Sequence, residues 1–442
     1  MAKTPSTDQS SETIVEPSGI ESQYDCVYAR AKESGTFGDF ERAASEYRAA
    51  TDVARSFGLE DERLFDSLSR LAYCHYRLGD MQQAEVAYRE ALELMERFHK
   101  SKHPDRFASI LWAMAVLLSD SKRFNEAEEY FKRSMAVSES WSGPKDRFVA
   151  DCLWGLSKCL TGAGKINEAE EAIKNAIAIY QGLDENVDDF LATNYINLGS
   201  LQMQRGKIND AIESLTHALT LRERIAGKYD ATVMSVQGKL AMAYMQIKNY
   251  SEAFRLLKKS LKITENIFGI MSPEAARKQV VMGDCLACQN KNELAVKVLE
   301  RAKKIIESDP ENFDPTLMSA CLFELTTGYQ RLKDDRNTKL SLEELVHLFD
   351  KNSPPLNRGG LYADSLIRLA AIYDKQCLFK KARPLYEEAL QIRERIYGNE
   401  HKLVAEVLMR LGTCQGKMSL GNLATENIKK AESMLADLKK RA

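Results

Sequence analysis

The chain has 442 residues, 44% hydrophobic and 29% charged, with only 10 Pro and 23 Gly. That mix suits a helical protein and leaves too few breakers for a loop-rich fold. Lys and Arg number 62 against 64 Asp and Glu, so no global field draws the chain to nucleic acid or to an anionic membrane surface. No window holds the eighteen or more apolar residues of a membrane span.

In chain order, residues 1–22 (MAKTPSTDQSSETIVEPSGIES) are polar and rich in Ser and Thr. They lack the apolar run of a signal peptide and read as a disordered leader. Nine cysteines scattered through helical segments fit reduced thiols in a cytoplasmic protein better than a disulfide framework.

From residue 23 to 442 one small-residue register returns every 41 to 44 residues, at Ala43, Ala84, Ala127, Ala169, Ala211, Ala253, Ala295, Thr338, Ala382 and Ala424. With this anchor set as position 20, position 8 is also small almost throughout, from Ala31 and Ala72 to Gly412. Position 27 is Ala or Ser except at Leu345. Larger residues fill position 7 (Leu71, Met114, Leu156) and position 24 (Tyr47, Phe131, Leu215). Spacings of three, four and seven within each half are helical, and small residues let two helix backbones approach closely. Gly38, Gly79, Gly164 and Gly206 at position 15 mark the turn between the halves, where a left-handed residue ends the first helix. Asn125, Asn167, Asn209 and Ser251 at position 18 are expected to cap the second helix.

This pattern resembles the tetratricopeptide repeat (TPR), with a period near 42 in place of 34. Segments such as LRERIAG (221–227) and IRERIYGNEH (392–401) are similar to the longer repeats of kinesin light chains. The resemblance implies an all-α, right-handed superhelical solenoid of about ten TPR-like helical hairpins. It also implies a role as a protein-interaction scaffold that binds a peptide or partner helix in a concave groove. The seventh unit departs most, with Thr338 at the anchor, Leu345 at position 27, and Pro310, Pro315, Pro354 and Pro355 around it. Two readings stand: local divergence with looser packing, or an irregular joint at 310–360 that would let the array act as a ligand- or peptide-responsive sensor.

In tetratricopeptide proteins positions 2, 5, 9 and 12 of each first helix face the groove. Carried onto this chain, they give the candidate groove residues Tyr73, Trp112, Trp154, Ile196, Met242, Met245, Phe323 and Ile367. Large aromatics anchor interfaces and methionines adapt to varied partners; the alternative is that these side chains fill gaps between long helices. The family's carboxylate clamp needs Lys at position 5 and Asn at position 9, and this chain has neither pairing. Of the position-6 asparagines by which kinesin light chains hold cargo peptides, only Asn197 is present, with Asn194 nearby.

Catalytic and metal-binding patterns are weak. TGAGK (161–165) has glycines and a lysine but not the spacing of a phosphate loop. Cys285 and Cys288 lie within one helix, and Cys74, Cys159, Cys285 and Cys414 share position 10, a recurrence that suits packing. His99 and His103 are four apart, but Pro104 assigns His103 to a turn, and His75 reads as a core residue. Carboxylate pairs such as Glu128-Glu129 and Glu170-Glu171 read as a solvated face. Lys429, Lys430, Lys439, Lys440 and Arg441 suit the end of a helix. The expectation is a non-enzyme without metal or cofactor, binding protein or peptide and neither nucleic acid nor membrane.

Overall fold

A computed structural model describes residues 19–183, 186–351 and 359–441. Among them every regular element is helical, and the twenty α-helices form ten hairpins. The first five are α1 (Gly19–Thr36) with α2 (Phe40–Arg55), α3 (Glu62–Arg77) with α4 (Met81–Leu94), and α5 (Pro104–Asp120) with α6 (Phe124–Ser142). Next come α7 (Arg147–Gly162) with α8 (Ile166–Gln181), and α9 (Asp188–Gln204) with α10 (Ile208–Ala226). A π turn, Met95–His99, extends α4. The later hairpins are α11 (Ala231–Gln246) with α12 (Tyr250–Phe268), and α13 (Pro273–Cys288) with α14 (Asn292–Glu307). The last three are α15 (Pro315–Arg331) with α16 (Asp335–Lys351), α17 (Gly360–Lys375) with α18 (Phe379–Tyr397), and α19 (Lys402–Lys417) with α20 (Gly421–Arg441). The chain divides into two compact blocks between Leu221 and Arg222, inside α10. The helical solenoid is the expected fold class.

The small-residue register is the packing seam. Nine of the ten anchors are alanines, all 5% exposed or less, and Thr338 is 2% exposed. Where position 8 is glycine the second helix leaves no room for a Cβ. A Cβ on Gly199 would lie 2.7 Å from Leu215 Cγ, and one on Gly283 only 2.5 Å from Leu299 Cγ. Position 24 of the second helix therefore occupies the space that position 8 of the first helix leaves.

Every hairpin turns in the same way. Position 15 has positive φ in all ten repeats, as glycine in Gly38, Gly79, Gly164 and Gly206 and as a non-glycine in Lys122, Lys248, Asn290, Lys333, Cys377 and Ser419. The next amide bonds back to a carbonyl five residues earlier, as in Asp80 N to His75 O at 2.9 Å and Lys165 N to Leu160 O at 2.9 Å, closing the first helix.

The caps differ from expectation. Side-chain capping comes from position 16, through Asp39, Asp80 and Asn249, while Asn125, Asn167, Asn209 and Ser251 lie inside the first turn of their helices. The second helix starts directly after the left-handed residue, so the cap falls two residues earlier.

Helix α1 begins at Gly19, so residues 19–22 of the expected leader are helical; residues 1–18 lie outside the described residues. The irregular repeat, α15–α16, is the eighth hairpin, not the seventh. Its Leu345 is fully buried in a cluster that runs from Ala276 through Phe349 and Tyr362 to Val407. A larger side chain there fills space the alanines leave elsewhere. Pro315 is the first residue of α15, a position that needs no amide donor. Pro354 and Pro355 lie outside the described residues.

Candidate partner-binding site

In the N-terminal block, the first helices α3, α5, α7 and α9 carry three cavities. The aromatic one is about 480 Å³. Helix α5 contributes Trp112, α7 contributes Phe148, Asp151 and Trp154, and α8 contributes Tyr180. The remaining wall is the start of α9, with Asp189, Phe190, Thr193 and Asn194. Toward α3, a cavity of about 380 Å³ is lined by Tyr73, Asp66, Arg70, Arg106 and their neighbours. On α7 and α9, a polar one of about 210 Å³ is lined by Lys158, Thr161, Asn197, Ser200 and Gln204 among others.

Short-range contacts hold the aromatic cavity in shape. The Tyr180 hydroxyl donates to Asp151, and the Tyr180 and Phe190 rings stack with centroids 5.6 Å apart. Burial pushes the Asp151 carboxyl above its ordinary range, against the lowering effects of the Tyr180 hydrogen bond and the Arg147 guanidinium. Burial also raises the Tyr180 hydroxyl, and the Asp151 carboxylate adds to that shift. Asn194, 2% exposed, donates through Nδ2 to the Phe190 carbonyl at 2.7 Å. Its Oδ1 has no partner, and the buried indole nitrogens of Trp112 and Trp154 have none either. Each buried group of this kind costs about 1–3 kcal/mol when left unmade.

Of the expected groove residues, Trp112 and Trp154 are brought together on one cavity. Both are half-buried and pack against the block's core with their other edges. Tyr73, 43% exposed, sits in the α3 cavity, its hydroxyl accepting from Arg77 Nη1 at 2.8 Å. Asn197 lies in the polar cavity, and Ile196 is half-buried on α9. In the C-terminal block, Met242 is exposed and Met245 half-buried on α11. Phe323 and Ile367 pack at the edge of the core, and the Arg368 guanidinium lies 4.7 Å from the Phe323 ring centre.

Residues not singled out in the sequence complete the main cavity: Phe148, Asp151, Tyr180, Asp189, Phe190 and Thr193. Asp151 and Thr193 occupy position 2, one of the groove-facing positions, so the register itself could have found them. Phe148 and Phe190 precede the repeat's position 1, and the register gives no signal for them.

Elsewhere the expected packing roles hold, with one exception. Burial raises the thiols of Cys159, Cys285 and Cys414. Cys159 Sγ donates to the Phe124 carbonyl at 3.3 Å and Cys285 Sγ to the Tyr250 carbonyl at 3.4 Å, so these two position-10 cysteines bond to the preceding repeat. His103 precedes α5, and His75 is 8% exposed beside Arg48. Gly164 is a turn residue. The exception is Glu170, expected on a solvated face but 2% exposed. It pairs with Lys174 at 2.6 Å, with Arg205, and with Lys207 at 3.3 Å. Equivalent links join Arg123 to Glu85 and Lys165 to Glu128, so position 16 of one repeat reaches position 21 of the repeat before it. Among the described residues no cluster of three or more His, Cys, Asp or Glu is placed to hold a metal ion, and no helix is long and apolar enough to cross a membrane.

The tetratricopeptide repeat model matches residues 105–182, 231–308 and 361–435, and two related repeat models match 65–98 and 192–224. The chain belongs to the tetratricopeptide repeat family. Arrays of this family are in general protein-interaction scaffolds that use extended concave surfaces. No curated protein matches this tetratricopeptide chain. Among solved structures, the apo form of RapI is 14% identical, with a TM-score of 0.57, and the match covers 85% of this chain and 99% of RapI. BtubC (BKLC) from P. vanneervenii is 18% identical, with a TM-score of 0.45 over 54% of this chain and 94% of that one. The repeats of a putative kinesin light chain from Podosopora anserina are 20% identical, with a TM-score of 0.41 over 48% of this chain and 99% of that one. At 14% identity the likeness to RapI is one of fold alone.

Proposed function

We propose that this tetratricopeptide protein is a scaffold that holds a peptide segment of its partner against the first-helix face of residues 65–204. The observation that carries the reading is the aromatic cavity of about 480 Å³ on this face, walled by Trp112, Phe148, Trp154, Tyr180 and Phe190. A side chain of the bound segment seated among these rings buries apolar area on both partners. The neighbouring cavities toward Tyr73 and Asn197 continue the same face and give a segment room to extend.

The test uses peptides selected from a randomised display library on the intact chain. Their affinity is compared with that for the double variant Trp112→Phe/Trp154→Phe. Phenylalanine keeps most of the packing and takes away part of the cavity wall, so binding weakens by about tenfold or more while the melting temperature holds. Equal affinity for both proteins, or failure to select any peptide, contradicts the reading.

A further inference from the structure

The lining of the aromatic cavity contains five rings and two carboxylates, Asp151 and Asp189, and no basic side chain. We infer that this cavity is the specificity pocket for a basic side chain, arginine or lysine, of the bound segment. The inference deepens the peptide-binding reading and rests on it.

Two observations point to a cation. Aromatic faces attract ammonium and guanidinium groups, by about 0.5–2 kcal/mol per ring according to desolvation. Two rings of this cavity already do so outside it: the Arg147 guanidinium stands 4.5 Å from the Phe190 centre, and the Lys158 ammonium 5.1 Å from Trp154. Neither Arg147 nor Lys158 lines the cavity itself. Asp151 supplies the second argument: its hydrogen bond comes from the neutral Tyr180 hydroxyl, and burial holds its carboxyl up even against the Arg147 guanidinium, which acts on it from outside the cavity lining. A cation entering beside it recovers electrostatic energy that an apolar side chain would leave unrecovered and that an acidic one would worsen.

The experiment titrates the intact chain, by tryptophan fluorescence, with a positional-scanning library of acetylated, amidated hexapeptides. Pools fixed as arginine, lysine, norleucine or glutamate at each position are compared. The inference predicts that at one position the arginine or lysine pool binds about tenfold tighter than the norleucine pool, and the glutamate pool weakest of all. The arginine and lysine arms separate a planar fork from a point charge. Asp151→Asn, which keeps an acceptor for Tyr180, moves the basic-to-norleucine ratio toward one, with melting checked alongside. A preference for norleucine or glutamate, or equal binding of all pools, overturns the cation assignment and leaves the peptide reading standing. No binding by any pool overturns both.

Discussion

The Tyr180 hydroxyl, on α8, donates to the carboxylate of Asp151, on α7, and the pair closes the floor between the aromatic rings of the candidate site. Removing the donor leaves a desolvated carboxylate without its hydrogen bond. Tyr180→Phe therefore lowers stability by roughly 1–3 kcal/mol. The double variant Tyr180→Phe/Asp151→Asn loses less than the sum of the single losses. Thermal melts of the four proteins of this cycle measure the coupling; strict additivity would show that the two groups do not interact.

Glu170 gives the N-terminal block an acid-sensitive link. Desolvation pushes its carboxyl up, but hydrogen bonds from Lys174, Arg205 and Lys207 outweigh that and hold it at about 2, against 4.5 in the free side chain. The folded value is the depressed one. The contribution is therefore complete above pH 4.5 and is lost as the pH falls toward 2, amounting to roughly 2–3 kcal/mol for a buried group with this shift. Glu170→Gln flattens the fall of stability across that window. Parallel acid unfolding curves for both proteins would contradict the assignment.

Six hairpin turns hold a non-glycine residue in the left-handed region, a conformation that costs about 1–2 kcal/mol for side chains with a Cβ. Lys248→Gly, at φ 60°, is expected to raise stability by about 0.5–1 kcal/mol after the extra chain entropy of glycine. Gly164→Ala, at φ 77°, is expected to lower it by about 1 kcal/mol. Opposite signs in melting temperature are the outcome to check.

Overfilling the seam has a fixed sign as well. A Cβ on Gly283 would press against three carbons of Leu299, the nearest at 2.5 Å. Gly283→Ala should therefore cost about 1–3 kcal/mol, although alanine normally favours a helix. Restoring room with Leu299→Ala in the same chain recovers part of the loss if the contact is the cause.

The fold was legible because its seam is made of residue sizes that repeat. Ala43, Ala84 and their counterparts are buried for the steric reason that their spacing indicates. The caps were misplaced because Asn125 and Asn167 look like caps in isolation. The left-handed residue at position 15 moves the helix start forward, and Arg123 and Lys165 take the boundary position to reach Glu85 and Glu128. Glu170 looked solvated because its partners Arg205 and Lys207 are 35 and 37 residues away. At the candidate site the register reached Trp112 and Trp154. Tyr180 comes from a second helix, and Phe148 and Phe190 from helix starts outside the repeating pattern. Those three had no periodic signal.

The central claim, that a partner segment lies along the first helices of residues 65–204, is tested most directly by hydrogen exchange. The intact chain is measured with and without a peptide selected on it. The account predicts slowed exchange concentrated in α5, α7 and the start of α9, around Trp112, Trp154 and Asn194. Protection confined to the second helices, or to residues beyond Leu221, would contradict it.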